Sequence, residues 1–527
     1  MLKWHKEIKK GVTTMKTLKA TLAVILSVIM CMSMCAIALA ASEDGSYVIT
    51  NPYANIDWNK VTAYKTALHT HTNASDGNDT LKASVQRHAE TGFDIVATTD
   101  HGTVNHTWVN NDENKLIYGA LSLVGKTEGE LVYLSDKGTF DNGVSYTCVT
   151  DEDGNDYLVL EDGRKILRVP FGIENNAVSV NAHVNSWFAD YYNNSITTYE
   201  IAVAGVHEKG GVSVINHPGE YTKARYEIHS EDAYNDSNPV YNYYINKFST
   251  LLAEYDSCIG IDINSKGDGR TRFDRILWDN LLTRFSANGE NVYAIASSDA
   301  HQLNVIDTGY TLALLEENTN AALKSCLING EFFAASHCLG NYDELVDIAA
   351  ALKEFYGETE LYNKVNGTAE EMAKKIEGIE NGEYDADESI GITYSTLDGN
   401  GFNTASADPR ITSIAVNEET DEITINTTDA LIVRWISEGE LICTQKADEA
   451  TIDLNDYADE LGDYVRAEVF GEGGIVYTQA VLLDAEAKAG TSNPIKGTYS
   501  NLGVLDFLFA EFNNWFAIIT RFFSNLF

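Results

Sequence analysis

Two histidines one residue apart, His69 and His71, close the short run Tyr64 to Leu68, and Asp76 follows five residues later. If that run is a strand, residues i and i+2 share a face, and both imidazoles enter one space. Neutral ring nitrogens beside a carboxylate are what a divalent metal takes as ligands. Alone the pair says little, because the chain has 12 histidines. Further groups of the same chemistry recur, however: His101, Glu174, His183, His217, Asp299 and His301. Each stands at the end of an apolar run or in the loop just after it.

Elements that would position these groups can be read from the pattern. After the His-Thr-His loop, Asp79 or Thr80 can cap a helix in which Leu81, Val85 and Ala89 recur at spacing four, with Gly92 at its end. His88 lies near that apolar face and reads as a packed structural histidine. Phe93 to Thr99 is a buried strand ending in Asp100-His101, which completes a strand-helix-strand unit. The same grammar returns at Ile166 to Ile173 before Glu174, at Val178 to Val184 with His183, and at Gly211 to Asn216 before His217. Helices over Thr198 to Lys209, Asn242 to Glu254 and Phe273 to Phe285 alternate with strands over Ile259 to Ile263 and Val292 to Ala296. Repeated βα units with functional residues at strand ends predict an α/β barrel whose site lies on its carboxyl face. Tyr310 to Leu315 and Asn318 to Phe333 read as a strand and a helix that complete it.

Residues 103–164 interrupt this order with β-rich runs and read as an insertion over the mouth of the barrel. The acidic turn Asp151 to Asp156 lacks the spacing and closing glutamate of an EF-hand and reads as a solvated hairpin turn. Residues 341–390 form a helical acidic segment, and 391–485 carry short alternating strands that predict a C-terminal β-sandwich domain. A linker at 486–500 leads to residues 501–527, where Leu505, Leu508, Phe512, Trp515, Ile519, Phe522 and Leu526 form an amphipathic aromatic helix. Such a stripe fits a helix docked on its own protein or one lying at the cell envelope.

The ligand groups, taken in order, resemble the motifs of the PHP family, the polymerase and histidinol phosphatase domain. The matching stretches are His69-Thr-His71 with Ser75-Asp76-Gly77, Thr99-Asp100-His101, Gly172-Ile-Glu174, His183, Asn216-His217-Pro218 and Ser298-Asp299-Ala-His301, within Tyr64 to Cys338. The resemblance implies a distorted (β/α)7 TIM-like barrel, residues 41–340, holding two or three divalent ions, with zinc, manganese and iron all open. Carried onto this sequence, His69, His71, Glu174 and Asp299 hold one ion. Glu174 bridges to a second ion held by His183 and His217, and Asp76, His101 and His301 hold a third. Aspartate at position 76 favours a harder third ion. The implied activity is hydrolysis of a phosphomonoester or phosphodiester by a metal-activated hydroxide. Asp299 is expected to orient the attacking water and His301 or His101 to assist the leaving group. Asp100 is expected to orient a metal-binding histidine. Asn264 and Lys266, past a strand end, fit substrate contact or ordinary loop capping and solvation alike.

Composition bounds the rest. In 527 residues there is room for two or three domains. Lys16 and Lys19 precede an apolar run from Ala20 to Ala40 that ends in small residues, the order of a secretory signal peptide over residues 1–40; a membrane anchor is the competing reading. Removing it leaves 31 Lys and Arg against 77 Asp and Glu, a net charge of −46. Such a surface repels nucleic acid, so no nucleic-acid partner is expected. The five remaining cysteines, Cys148, Cys258, Cys326, Cys338 and Cys443, contain no Cys-x-x-Cys and read as buried thiols. A secreted or cell-surface metallohydrolase acting on a small phosphorylated substrate is the first reading. A hydrolase of a non-phosphate bond related to amidohydrolases, and a non-catalytic envelope-binding protein on the same scaffold, are the alternatives.

Overall fold

The computed structural model describes residues 47–109, 133–176, 183–192, 198–263, 269–338, 342–383 and 406–483. The signal segment, Asn264, Lys266, the linker and the C-terminal helix lie outside the described residues. Two compact units divide the chain. One is represented here by Tyr47 and Asn417–Asp421, where the Tyr47 amide donates to Asp421 Oδ1 at 2.9 Å. The other carries the site.

After β1 (Ile49–Thr50), the first strand-helix-strand unit is β2 (Thr62–Ala67), α1 (Leu81–Glu90) and β3 (Ile95–Val96), with β2 and β3 parallel. Thr80 caps α1 by accepting from the Ala83 amide at 3.2 Å, and Leu81, Val85 and Ala89 are buried as their spacing predicts. His88 is buried too, and its Nδ1 faces the Ser84 carbonyl at 2.8 Å. Strands β4 (Lys137–Thr139), β5 (Ser145–Thr150) and β6 (Asp156–Leu160) make an antiparallel meander whose last strand pairs with β7 (Lys165–Arg168), itself parallel to β3. The described part of the insertion therefore extends the sheet edge. Asp151 closes its turn by accepting from the Asn155 amide and side chain at 2.8 and 2.9 Å.

A second sheet runs in the order β12-β11-β10-β9-β8, with β8 (Ile173–Asn176), β9 (His183–Trp187), β10 (Val212–Ile215), β11 (Cys258–Asp262) and β12 (Tyr293–Ile295). Its strands β10, β11 and β12 are parallel, whereas β8-β9 and β9-β10 are antiparallel. Strands β10 and β11 are buried along their whole length, which is the condition of parallel strands covered on both faces. Between the strands run α2 (Tyr199–Glu208), the short α3 (Gly219–Thr222), α4 (Pro239–Glu254) and α5 (Asp274–Ser286). Leu277, Trp278, Leu281 and Leu282 of α5 and Tyr244 and Phe248 of α4 join one core.

The two sheets stay open as hydrogen-bonded ladders, so no closed barrel is formed among the described residues. They are linked by two single parallel bridges, Thr70 with Ala300 and His101 with Glu174. Thr70, Ala300 and His101 lie just past the carboxyl ends of β2, β12 and β3, while Glu174 lies at the start of β8, and all four residues are site residues or their neighbours.

The C-terminal region departs from expectation. After β13 (Gly309–Leu315), which pairs with β2, and α6 (Asn320–Asn329), a further strand β14 (Phe332–Ser336) begins in the last two residues of the expected helix and runs past its end. Helices α7 (Tyr342–Tyr356) and α8 (Glu360–Glu380) follow. Then come β15 (Arg410–Asn417), β16 (Glu422–Thr428), β17 (Ile432–Ser437), β18 (Glu440–Lys446), β19 (Thr451–Asp453), β20 (Tyr464–Phe470), β21 (Ile475–Tyr477) and β22 (Val481–Leu483). The expected strands are present, but β21 pairs antiparallel with β14, so β17, β18, β20, β21 and β22 continue the first sheet. Only β15, β16 and β19 form a sheet of their own. The physical reason is β14: its five residues are wholly buried, and its second edge is taken by β21.

A network of buried charge fastens this extension to α5 and α7. Arg466 grips Asp279 through Nε (2.8 Å) and Nη2 (2.7 Å) and Glu468 through Nη1 (2.8 Å). Arg434 takes the other oxygen of Glu468 at 2.5 Å and Asp347 at 3.1 Å, and Arg275 pairs with Glu344. Two arginines around it hold the Glu468 carboxyl below its ordinary range against the opposing effect of burial. No helix among the described residues is long and apolar enough to cross a membrane.

Candidate metal centre

All nine residues singled out by chemistry and spacing meet in three adjoining groups: His71, Asp76, His101 and His301; His69, Glu174, His217 and Asp299; and His101, Glu174 and His183. Strand ends explain the convergence. His69 and His71 follow β2, His101 follows β3, Glu174 lies in β8, His183 opens β9, His217 follows β10, and Asp299 and His301 follow β12. Backbone bonds lock these loops together: the His71 amide donates to Ala300 O and the Asn78 amide to His301 O, both at 2.9 Å, and Thr99 N to Thr70 O at 2.9 Å. Gly77 allows this, since a Cβ there would meet the backbone of His71 and Thr72 at 2.8 Å. His217 and Asp299 both have positive φ, 25° and 43°. Such conformations cost on the order of 1–3 kcal/mol each and persist where the surroundings over-determine them.

The tightest group is built from His69 Nε2, His71 Nε2, Glu174 Oε2 and Asp299 Oδ1. The two nitrogens are 3.1 Å apart. From Glu174 Oε2 they stand at 3.3 and 3.2 Å, and from Asp299 Oδ1 at 3.1 and 2.9 Å. A tetrahedral ion with bonds of about 2.0–2.1 Å separates its ligand atoms by about 3.3 Å. The four atoms thus have the spacing of such a shell. Glu174 Oε2 also has His101 Nδ1 at 3.1 Å, yet it accepts no hydrogen bond from any of the three rings. A buried carboxylate oxygen ringed by nitrogens that do not donate to it fits a cation better than a proton.

The second oxygen of Glu174 faces elsewhere. Oε1 is 2.8 Å from His183 Nδ1 and 3.3 Å from His217 Nε2, and it accepts from Asn216 Nδ2 at 2.8 Å. His217 Nε2 is 3.7 Å from Asp299 Oδ2. Toward the rim, Asp76 Oδ2 lies 3.2 Å from His301 Nε2 and 3.6 Å from His101 Nε2, and Asp76 Oδ1 3.6 Å from His71 Nδ1. His71 therefore belongs to two groups, one on each ring nitrogen.

The electrostatics reflect crowded charge. Burial disfavours the charged form of His69, but the carboxylates of Asp299 and Glu174 overcome it and lift the ring to about 9. His71 is raised for the same reasons. For His101 burial wins, and its pKa falls to about 3. Burial would raise Glu174, yet the imidazoles of His101, His183 and His69 hold it well below the carboxylate range. With only protons to hand, the site must charge its imidazoles to balance its carboxylates; bound dications do the same with fewer, fixed charges.

Asp100, expected to orient a metal-binding histidine, does so only indirectly. Asp100 accepts from the Thr72 amide (2.7 Å), Thr72 Oγ1 (2.8 Å) and Ser75 Oγ (2.7 Å), so it fixes the His71 loop and touches no imidazole directly. It reaches His71 through Ser75, whose Oγ is 3.2 Å from His71 Nδ1. The carboxylate behind a ligand ring is instead Asp262: buried and bonded to Ser297 Oγ, its Oδ2 lies 3.9 Å from His69 Nδ1.

An open cleft of about 570 Å³ gives onto the site, lined by Asp76, His101, Glu174, His183, Asp299 and His301, with Glu220, Tyr221, Arg270, Ser298, Gln302 and Val305. A larger cleft of about 700 Å³ runs past Asp279, Asp347 and Arg434, and none of the nine residues lines it. Size therefore does not locate the chemistry here. Arg270, in the 3-10 turn Gly269–Thr271, stands near no recognisable motif in the sequence, whereas Glu220 follows the Asn216-His217-Pro218 motif by two residues.

No protein-family model matches the chain, and no curated protein does. Among solved structures, the chain is similar to a two-domain protein of Bacteroides vulgatus described as containing a predicted PHP-like metal-dependent phosphoesterase. The identity is 13%, the TM-score 0.31, and the match covers 84% of this chain and 91% of that one. It is also similar to PsfC of Pseudomonas syringae at 13% identity and a TM-score of 0.29, over 51% of this chain and 88% of that one. At such scores neither likeness carries weight beside the side-chain geometry. The PHP-like type named for the first of them is the type that the chain's own motifs resemble.

Proposed function

We propose that this chain is a secreted metal-dependent phosphoesterase of PHP type, built on a distorted (β/α)7 barrel. The observation that carries the reading is the close shell of His69, His71, Glu174 and Asp299, with Glu174 turned by its other oxygen toward His183 and His217. Two bridges at the strand ends, Thr70 with Ala300 and His101 with Glu174, support the barrel as the finer description of two sheets that meet at one rim. Export is inferred from Lys16, Lys19 and the apolar run Ala20 to Ala40.

Bound divalent ions supply the nucleophilic hydroxide and neutralise the phosphoryl oxygens. The chain's residues do the rest. Asp299, buried and fixed by a positive φ, offers Oδ1 to the tight group and Oδ2 toward His217, and so can orient a water between them. His301 is part-exposed at the rim, with its Nδ1 at 2.9 Å from the Asp299 carbonyl and its Nε2 toward Asp76. With the two inner ions bound and the outer position free of metal, Nε2 can hand a proton to a leaving oxygen, with His101 as its neighbour on the same carboxylate.

The test is elemental analysis of the purified chain together with turnover of p-nitrophenyl phosphate and bis(p-nitrophenyl) phosphate, before and after chelation. Two or three ions and chelator-sensitive hydrolysis are expected. Stoichiometric metal with neither ester hydrolysed would move the search to non-phosphate bonds.

A further inference from the structure

The cleft wall holds a pair that the metal ligands do not explain. Arg270 is the one Lys or Arg among the described residues that line the cleft, facing a wall that includes Asp76, Glu174, Glu220 and Asp299. Its Nη1 donates to Glu220 Oε1 at 2.7 Å. Glu220 Oε2 lies 3.5 Å from His217 Nδ1, and the other nitrogen of that ring faces Glu174. Glu220 thus stands between a guanidinium on the cleft wall and the back of an imidazole in the metal centre. The pair is largely buried in the cleft wall, Arg270 28% and Glu220 10% exposed, and the desolvation of a buried ion pair offsets much of its attraction, so net stability alone does not account for its placement. An anion entering this acidic cleft needs a local cation, and a guanidinium stays charged and presents a planar fork that suits phosphate oxygens.

We propose that Arg270 receives the substrate's phosphoryl oxygens and that Glu220 is a positioning residue that holds Arg270. The inference rests on the phosphoesterase reading and narrows its substrate to a phosphomonoester. A terminal phosphoryl group has three non-bridging oxygens, enough to face the metal centre and Arg270 together; a diester has two.

The test uses the full chain loaded with metal. Arg270→Met is compared with wild type for p-nitrophenyl phosphate kinetics, for inorganic phosphate binding by calorimetry, and for metal content. The expected result is a KM raised and a phosphate Kd weakened by about tenfold or more, the loss of one charged hydrogen-bonding partner, with metal content unchanged. Arg270→Lys should recover part of the loss. Glu220→Gln should raise KM less, and the double variant should be no worse than Arg270→Met alone, because Glu220 acts through Arg270. Unchanged KM and phosphate affinity in Arg270→Met overturn the receptor role, and additive effects in the double variant overturn the positioning role. Preferential turnover of bis(p-nitrophenyl) phosphate overturns the monoester assignment. If wild type hydrolyses neither ester but binds phosphate more tightly than Arg270→Met, the receptor stands and the phosphoesterase reading falls. If wild type binds no phosphate, the receptor falls whatever the turnover.

Discussion

Two regions bury charge in this molecule, and they do so by opposite means. Around Arg466 the cations are guanidiniums, each donating along short, directed bonds to Asp279, Glu468 or Asp347. Among the described residues the groups that ring the Glu174 carboxylate are imidazoles, and one of its buried oxygens sits among three of them without accepting a bond. The first network carries its own permanent counter-charge. In the second the counter-charge is titratable and the geometry is that of a ligand shell. A buried charged cluster therefore reads as structural or functional by whether its cations are fixed or must be supplied.

That contrast can be broken by exchanging the two signatures. The largest effect expected is on turnover: Asp299→Ala or His217→Ala should lower metal-dependent hydrolysis by on the order of 10³-fold or more while leaving the unfolding midpoint of the metal-free chain nearly unchanged. Survival of activity in both would show that the ligand shell is misplaced. Arg466→Met should do the reverse, costing about 3–5 kcal/mol in urea unfolding because Asp279 and Glu468 lose their partner, with metal content intact. Loss of metal from that variant would mean the two clusters are not independent.

A third buried group sharpens the comparison, since it has neither fixed partner nor ligand shell. His88 lies wholly in the α1 core, and burial pushes its pKa down to about 4. An exposed histidine titrates near 6.5, so below that pH the unfolded chain takes up a proton that the folded chain refuses until about pH 4. Its stability contribution is thus present above about pH 6.5 and is lost as pH falls through that window, by on the order of 3 kcal/mol. Urea unfolding of wild type and His88→Leu at pH 7 and pH 4.5 should show the variant losing less stability by that amount. Equal losses would mean that His88 is charged in the folded chain. The smallest effect expected is at Asp262→Asn, which should weaken metal binding about 10–100-fold through the His69 ring, read by competition with a chelating dye.

Much of the centre was legible in the sequence because most of its ligands follow an apolar run that ends a strand at a rim; Glu174 and His183 instead stand at the starts of β8 and β9. Spacing placed His69 and His71 on one face, and their Nε2 atoms do meet. Roles that depend on approach between distant segments were not legible. Asp100 and Asp262 both follow apolar stretches, and nothing local says that the first binds Thr72 and Ser75 while the second lies behind His69. Arg270 pairs with Glu220 from another loop, a contact 50 positions apart. The fold shows the same division: the βα alternation was readable, whereas β14 was hidden beside α6, and its pairing with β21 is a matter of long-range register.

That pairing has one more consequence. Because β21 hydrogen-bonds to β14 and β14 to β13, the C-terminal strands and the strand that leads into the His69 loop share one continuous ladder. Truncating the chain after α8 would leave β14 as a bare, largely apolar edge, which is a template for aggregation. The region far from the chemistry is thus a condition of solubility for the region that performs it, and the two should melt in one cooperative transition.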